Sequence, residues 1–219
     1  MIERDIIAKK IKEFEIQEFV SNNLSKVGLS YTKLQRTPLG EKIIIYTSRP
    51  GLVVGRKGQS IKKLTKLLKD KFSLENPQIE INEVQDVNLD PKIVAERIAN
   101  SLERFGSSNF KGIGYKTMTD VINAGALGVE ILLSGKIPSA RAKRWRFYKG
   151  YLKKCGETAI TGIKKAYTIA RLKTGIVGIQ VRIMPPDIRL PDSIELIKEP
   201  IEEIKEENTE KKPEQKNEK

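Results

Sequence analysis

Two glycines three residues apart, Gly55 and Gly58, constrain this 219-residue chain more than any other feature. They close the stretch Arg49-Pro50-Gly51-Leu52-Val53-Val54-Gly55-Arg56-Lys57-Gly58. The spacing predicts a short helix from Pro50, a tight loop at Gly55 to Gly58, and a longer helix from Gln59 to Phe72. In that longer helix Ile61, Leu64, Thr65, Leu68 and Phe72 form one stripe, and Lys62, Lys63, Lys66 and Lys69 point away from it. Glycine has no Cβ, so the backbone here can come close to a phosphate chain. The first amides of the following helix are free and carry partial positive charge, and Arg56 and Lys57 add charge at the tip. The bland alternative is a helix–helix turn whose glycines only relieve strain. A Walker loop is excluded, because no GxxxxGK followed by Ser or Thr occurs.

The loop has a context. Asp5 to Val27 reads as a helix, with Ile16, Phe19, Val20, Asn23, Leu24 and Val27 on one face, stopped by Gly28. Its basic beginning, with Arg4, Lys9, Lys10 and Lys12, is expected to be a separate arm or turn. Strands are expected at Ser30 to Arg36, Lys42 to Thr47 and Gln78 to Val84. The order helix-strand-strand-helix-helix-strand resembles the type II KH arrangement. In KH domains such a loop clamps about four nucleotides of single-stranded RNA backbone.

Gln85 to Pro91 is polar and aperiodic, and is the expected domain boundary. Asp90 can cap the next helix with Pro91 at its first position. Helices follow at Lys92 to Phe105 and Asn109 to Asn123. Four strand-like runs come next: Gly128 to Ser134, Ala140 to Leu152, Ile160 to Leu172 and Gly175 to Met184. Ile160 to Leu172 also suits a helix, since Ile163, Lys164, Ala166 and Ala170 fit that spacing. The expected class is α+β: an N-terminal arm and type II KH domain over 1–86, then a C-terminal domain over 91–186 with two helices on a four-stranded, mostly antiparallel sheet. Residues 192–219, rich in Lys and Glu, are expected to be a disordered tail.

Charge narrows the function. The chain carries 41 Lys and Arg against 28 Asp and Glu, a formal +13. The stretch from Asp192 onward holds ten acidic and six basic residues, a net of −4, so the body before it carries about +17. A body that basic points to a polyanion. There are no histidines, and Cys155 is the only cysteine. That removes His-based catalysis, Ser-His and Cys-His pairs, zinc clusters and an internal disulfide. No catalytic residue, metal site or cofactor is expected. No apolar run is long enough to span a membrane, and the charged start lacks a signal core, so the expectation is a cytosolic chain without a membrane partner.

A second basic centre gathers Arg141, Lys143, Arg144, Arg146, Lys149, Lys153 and Lys154 among Trp145, Phe147, Tyr148 and Tyr151. On a strand Arg141, Lys143, Trp145 and Phe147 share one face, and Arg144, Arg146 and Tyr148 the other. Trp145 and Phe147 read as core against the helices. Arg144 and Arg146 read as phosphate contacts, which arginine makes in bidentate fashion.

The stretches Gln35-Arg36-Thr37-Pro38-Leu39-Gly40, Arg49 through Gly58, Leu74-Glu75-Asn76-Pro77-Gln78-Ile79, Ala124-Gly125-Ala126-Leu127-Gly128-Val129-Glu130 and Ala140 through Gly150 carry a resemblance. They are similar to the S-three family of small-subunit ribosomal proteins in its archaeal and eukaryotic form, over about residues 4–184. The resemblance implies a KH domain plus a family-specific α/β domain, in the subunit head beside the mRNA entry channel. It implies small-subunit rRNA, mRNA at that channel and neighbouring ribosomal proteins as partners. Bacterial members line the entry with basic residues on the helix matching Asn109 to Asn123. Lys111 and Lys116 carry over, while Gly112 and Tyr115 stand where bacterial members tend to be basic. The RNA-binding set is therefore Gly55, Arg56, Lys57, Gly58, Lys62, Lys111, Lys116, Arg141, Lys143, Arg144 and Arg146. Two other classes compete with this one: a nuclease or lyase on damaged DNA, through a lysine Schiff base, and a free-standing KH regulator. No lysine is marked as activated, and no acidic cluster suggests magnesium.

Overall fold

The computed structural model describes residues 2–191 and 194, apart from 26, 38, 39, 75, 139 and 189. The expected tail therefore lies outside the described residues, except for an exposed Ile194.

Helix α1 runs unbroken over Ile2–Asn23. The expected separate arm is corrected by this. No Gly or Pro interrupts the stretch, and its long side chains favour helix. Only Ile16 and Val20 of α1 are buried, so its first three turns carry exposed Ile6, Ile7 and Ile11. Strands β1 (Leu29–Thr37) and β2 (Gly40–Thr47) pair antiparallel. The glycine loop then separates α2 (Pro50–Val54) from α3 (Gln59–Phe72), and β3 (Gln78–Glu83) pairs parallel to β2. The three-stranded sheet has the order β1-β2-β3. Its core joins Ile16 and Val20 to Ile43, Ile45, Val53, Leu64 and Leu68. This stripe of α3 is the one the 3.6-residue period marked.

Helix α4 (Pro91–Phe105) begins as expected: the Asp90 carboxylate accepts from the Lys92 amide at 3.0 Å, with Pro91 in the first turn. Helix α5 covers Phe110–Asn123. Strands β4 (Gly128–Gly135) and β5 (Lys143–Gly150), helix α6 (Glu157–Thr161), and strands β6 (Lys164–Leu172) and β7 (Gly175–Met184) complete the fold. The second sheet is antiparallel throughout, in the order β5-β4-β7-β6. One face packs on α4 and α5 through Val129, Ile131, Phe147, Ile179 and Val181.

Two boundaries depart from expectation. Ile160 and Thr161 belong to α6, and the strand starts only at Lys164, where pairing with Ile183 begins after Gly162. Sheet pairing, unavailable to local periodicity, settles the helix–strand ambiguity. On β5, Arg141 precedes the strand, because pairing begins at Lys143 opposite Gly135. The expected alternation therefore does not reach Arg141.

Candidate nucleic-acid interface

The glycine loop is presented outward. Arg56 and Lys57 are exposed, and neither makes an ion pair with another described residue. Gly55 has φ 69° and ψ −175°, a region that only glycine enters freely, and its amide donates to the Gly51 carbonyl at 3.0 Å. Lys57 and Gly58 both adopt the left-handed conformation, at φ 52° and 72°. A Cβ at Gly58 would meet nothing within 4 Å. Bare backbone at Gly58 thus faces open space immediately before the first amides of α3. Lys62 lies one turn further along, exposed on the same helix.

The second group is built on α5 and the edge strand β5. Gly114 lets the helix sit directly on the Phe147 ring. Phe110 meets Trp145 edge-on at 5.4 Å, and Tyr115 meets Phe147 the same way at 5.2 Å. This seating brings Lys111 and Lys143 to one indole: each ammonium lies 5.1 Å from the Trp145 ring centroid. A cation over an indole face is attracted by the ring quadrupole. Two residues that were read as separate sites, one on the helix and one on the strand, are thereby joined. Lys116 stands apart: five residues from Lys111 is about 140° around the helix, at the other edge of the exposed face. Arg141 is exposed before the strand.

On the opposite face of β5, Arg144 is exposed without an ion pair among the described residues. Arg146 has a task that was not foreseen. Its Nε donates to Glu130 Oε1 at 2.6 Å. Lys154 Nζ reaches the same oxygen at 3.1 Å, and Arg182 reaches Oε2 at 3.2 Å. Glu130 is only 2% exposed. Burial alone would push its carboxyl up, but the hydrogen bonds and charges of Lys154 and Arg146 outweigh that and hold it below the usual carboxylate range. One carboxylate faces three cations, so the cluster remains net positive. Arg182 and Glu130 were missed from sequence. The available signal was a lone acid inside the apolar run Val129 to Leu133, but its partners become visible only through the register Tyr148–Glu130–Arg182.

Among the described residues no group of His, Cys, Asp or Glu is arranged to hold a metal, and no helix is long and apolar enough to cross a membrane.

Comparison with known proteins agrees with this two-part architecture. The KH domain family matches residues 15–89, and the family "ribosomal protein S3, C-terminal domain" matches residues 98–183. The small ribosomal subunit protein uS3 of Methanocaldococcus jannaschii is 43% identical over 202 residues, covering 92% of this chain and 96% of that protein. The protein of the same name from Methanobrevibacter smithii is 42% identical, covering 90% of this chain and 78% of its own length. The chain belongs to the uS3 family. The relatives carry the name of a ribosomal protein, not of an enzyme. In this uS3 chain the glycine loop falls within the KH match, and the cations of α5 and β5 fall within the C-terminal match.

Proposed function

We propose that this chain is a structural component of the small ribosomal subunit, holding rRNA in the subunit head and helping to form the mRNA entry. The relatives are named for that particle. The observation that carries the phosphate-gripping part is the exposed Gly55–Gly58 loop, with Arg56 and Lys57 at its tip and bare backbone opening on solvent. Phosphate oxygens accept hydrogen bonds from backbone N–H groups and from arginine and lysine without regard to sequence. Lys62 extends this surface along α3.

Lys111, Lys143 and Arg144 form the second contact on either side of β5, with Arg141 and Arg146 beside them. In this reading Lys111 and, at the other edge of the exposed face of α5, Lys116 contact mRNA. The chain works in this role as an N-terminal arm, formed by the exposed start of α1, and KH domain over 1–86, a C-terminal domain over 91–186 and a charged tail over 192–219. Its other partners are neighbouring ribosomal proteins, in the cytoplasm.

The test is sedimentation of cell extracts containing the tagged chain. Stoichiometric comigration with small subunits is the expected result. A chain that stays at the top of the gradient would act as a free regulator, and the ribosomal reading would fall. In parallel, the double variant Arg56→Asp/Lys57→Asp should fold normally and bind RNA more weakly. Unchanged affinity would remove the loop as a clamp.

A further inference from the structure

The four-stranded sheet has a second face, turned away from α4 and α5. Side chains alternate along each strand, so this face is read from the register. Arg146, Leu132, Gln180 and Tyr167 form one cross-strand row; Tyr148, Glu130, Arg182 and Lys165 form the next. No described element covers β6 here: Tyr167 is 71% exposed, Ile169 59% and Ile176 63%. Such exposure of an aromatic beside two branched aliphatics marks a surface that binds something.

Three observations say what it binds. The face is cationic, with Arg144, Arg146, Lys165, Arg171 and Arg182 against the single carboxylate of Glu130. An acidic partner is therefore required. The face also holds its aromatic groups in place. With the Gln180 amide oxygen turned to Arg182, it accepts from that guanidinium at 2.8 Å and from the Tyr167 hydroxyl at 3.1 Å. Arg182 bonds Glu130, Glu130 bonds Arg146, and the Arg146 guanidinium lies 4.7 Å from the Tyr148 ring centroid. A continuous polar chain thus fixes one tyrosine on each edge strand. Finally, the row between Arg144 and Ile169 carries only small residues, Ser134 and Gly178, with the Ser134 hydroxyl folded onto the Gly178 carbonyl at 3.4 Å, so no bulky side chain stands between the two edge strands there.

We infer that this face is a stacking platform for an unpaired stretch of RNA, with Tyr167 and the Arg146–Tyr148 pair under the bases and the flanking cations on phosphates. Every base has an apolar π-face, and aromatic rings and guanidinium planes on a sheet suit it. A duplex hides those faces, so the platform selects single strands. This rests on the phosphate-gripping reading above and adds to it a base-reading surface outside the KH loop.

The experiment titrates the full chain with a fluorescent 12-nucleotide oligouridine and with a 12-base-pair RNA duplex. The proteins compared are the unaltered chain, Arg56→Asp/Lys57→Asp, and each of these carrying Tyr167→Ala or Tyr167→Phe. Tyr167 is too exposed for its truncation to threaten the fold, and circular dichroism melts check this. Tyr167→Ala should weaken oligouridine binding about tenfold, leave duplex binding unchanged, and be rescued by Tyr167→Phe. Equal binding of the Ala variant and its parent, or equal loss on both RNAs, would overturn the platform. So would normal RNA binding by an Ala variant that fails to enter small subunits, since a protein neighbour would then cover the face. If the loop variant loses affinity but Tyr167→Ala does not, the phosphate grip stands and the platform falls. If the unaltered chain binds neither RNA, both fall.

Discussion

Gly114 lies directly beneath the ring of Phe147: a Cβ added there would come within 2.6 Å of two ring carbons. That contact sets how closely α5 approaches β5, and so where Lys111 meets Trp145. Gly112, two residues away on the same helix, faces open space. The two glycines therefore answer oppositely to the same substitution. Gly114→Ala should destabilise the chain by about 1–2 kcal/mol, because ring displacement exceeds the gain in helix propensity. Gly112→Ala should stabilise it by about 0.5–1 kcal/mol. Urea unfolding midpoints check both signs.

Arg144 and Arg146, neighbours in sequence, should separate in experiment. Arg144→Ala is expected to leave stability within about 0.5 kcal/mol of the parent, as for other surface changes, while lowering RNA affinity. Arg146→Ala should lower stability as well, because Glu130 loses its shortest hydrogen bond. Equal melting temperatures for the two variants would contradict the division.

Glu130 makes stability depend on acid. Its folded carboxyl is held below the usual range, so its contribution is fully present above that range and is lost as pH falls through the folded value. Glu130→Gln should cost about 2 kcal/mol at neutral pH; Lys154 and Arg146 are about half exposed, so the figure for a fully buried pair does not apply. The difference between parent and variant should shrink below pH 4.5, the ordinary carboxyl value. Melting curves across pH measure it.

Salt should report the loop. Each phosphate contact on single-stranded RNA adds about −0.7 to the slope of log affinity against log salt. Removing Arg56 and Lys57 together should flatten that slope by about 1.4. An unchanged slope would place both side chains away from phosphate.

Trp145 is the single tryptophan of the chain and stands between Lys111 and Lys143. RNA that draws those ammonium groups to phosphate should change indole emission. The change should disappear in Lys111→Ala/Lys143→Ala, while Lys116→Ala keeps it.

The glycine loop and α3 were legible because their signals are local. The conformation of Gly55, at φ 69° and ψ −175°, is open to glycine whatever surrounds it, and Leu64, Leu68 and Phe72 repeat at the helical period whatever they pack against. The same holds for the Asp90-Pro91 start of α4 and the alternation of β7. The role of Arg146 was not legible. Its partner Glu130 lies sixteen residues before it, Arg182 lies fifty-two residues after Glu130, and only the β5-β4-β7 register puts them side by side. Lys111 and Lys143 likewise share one indole only because Gly114 lets two elements close on Phe147.

Short-range rules of backbone freedom and side-chain spacing were thus enough to read most of the elements, the basic character and the glycine loop straight from the residues. Which cations stay open to a partner, which neutralise a buried acid, and which face of the second sheet remains uncovered were decided by packing. Those depend on pairs far apart along the chain, and local periodicity carries no information about register or about what lies across a sheet.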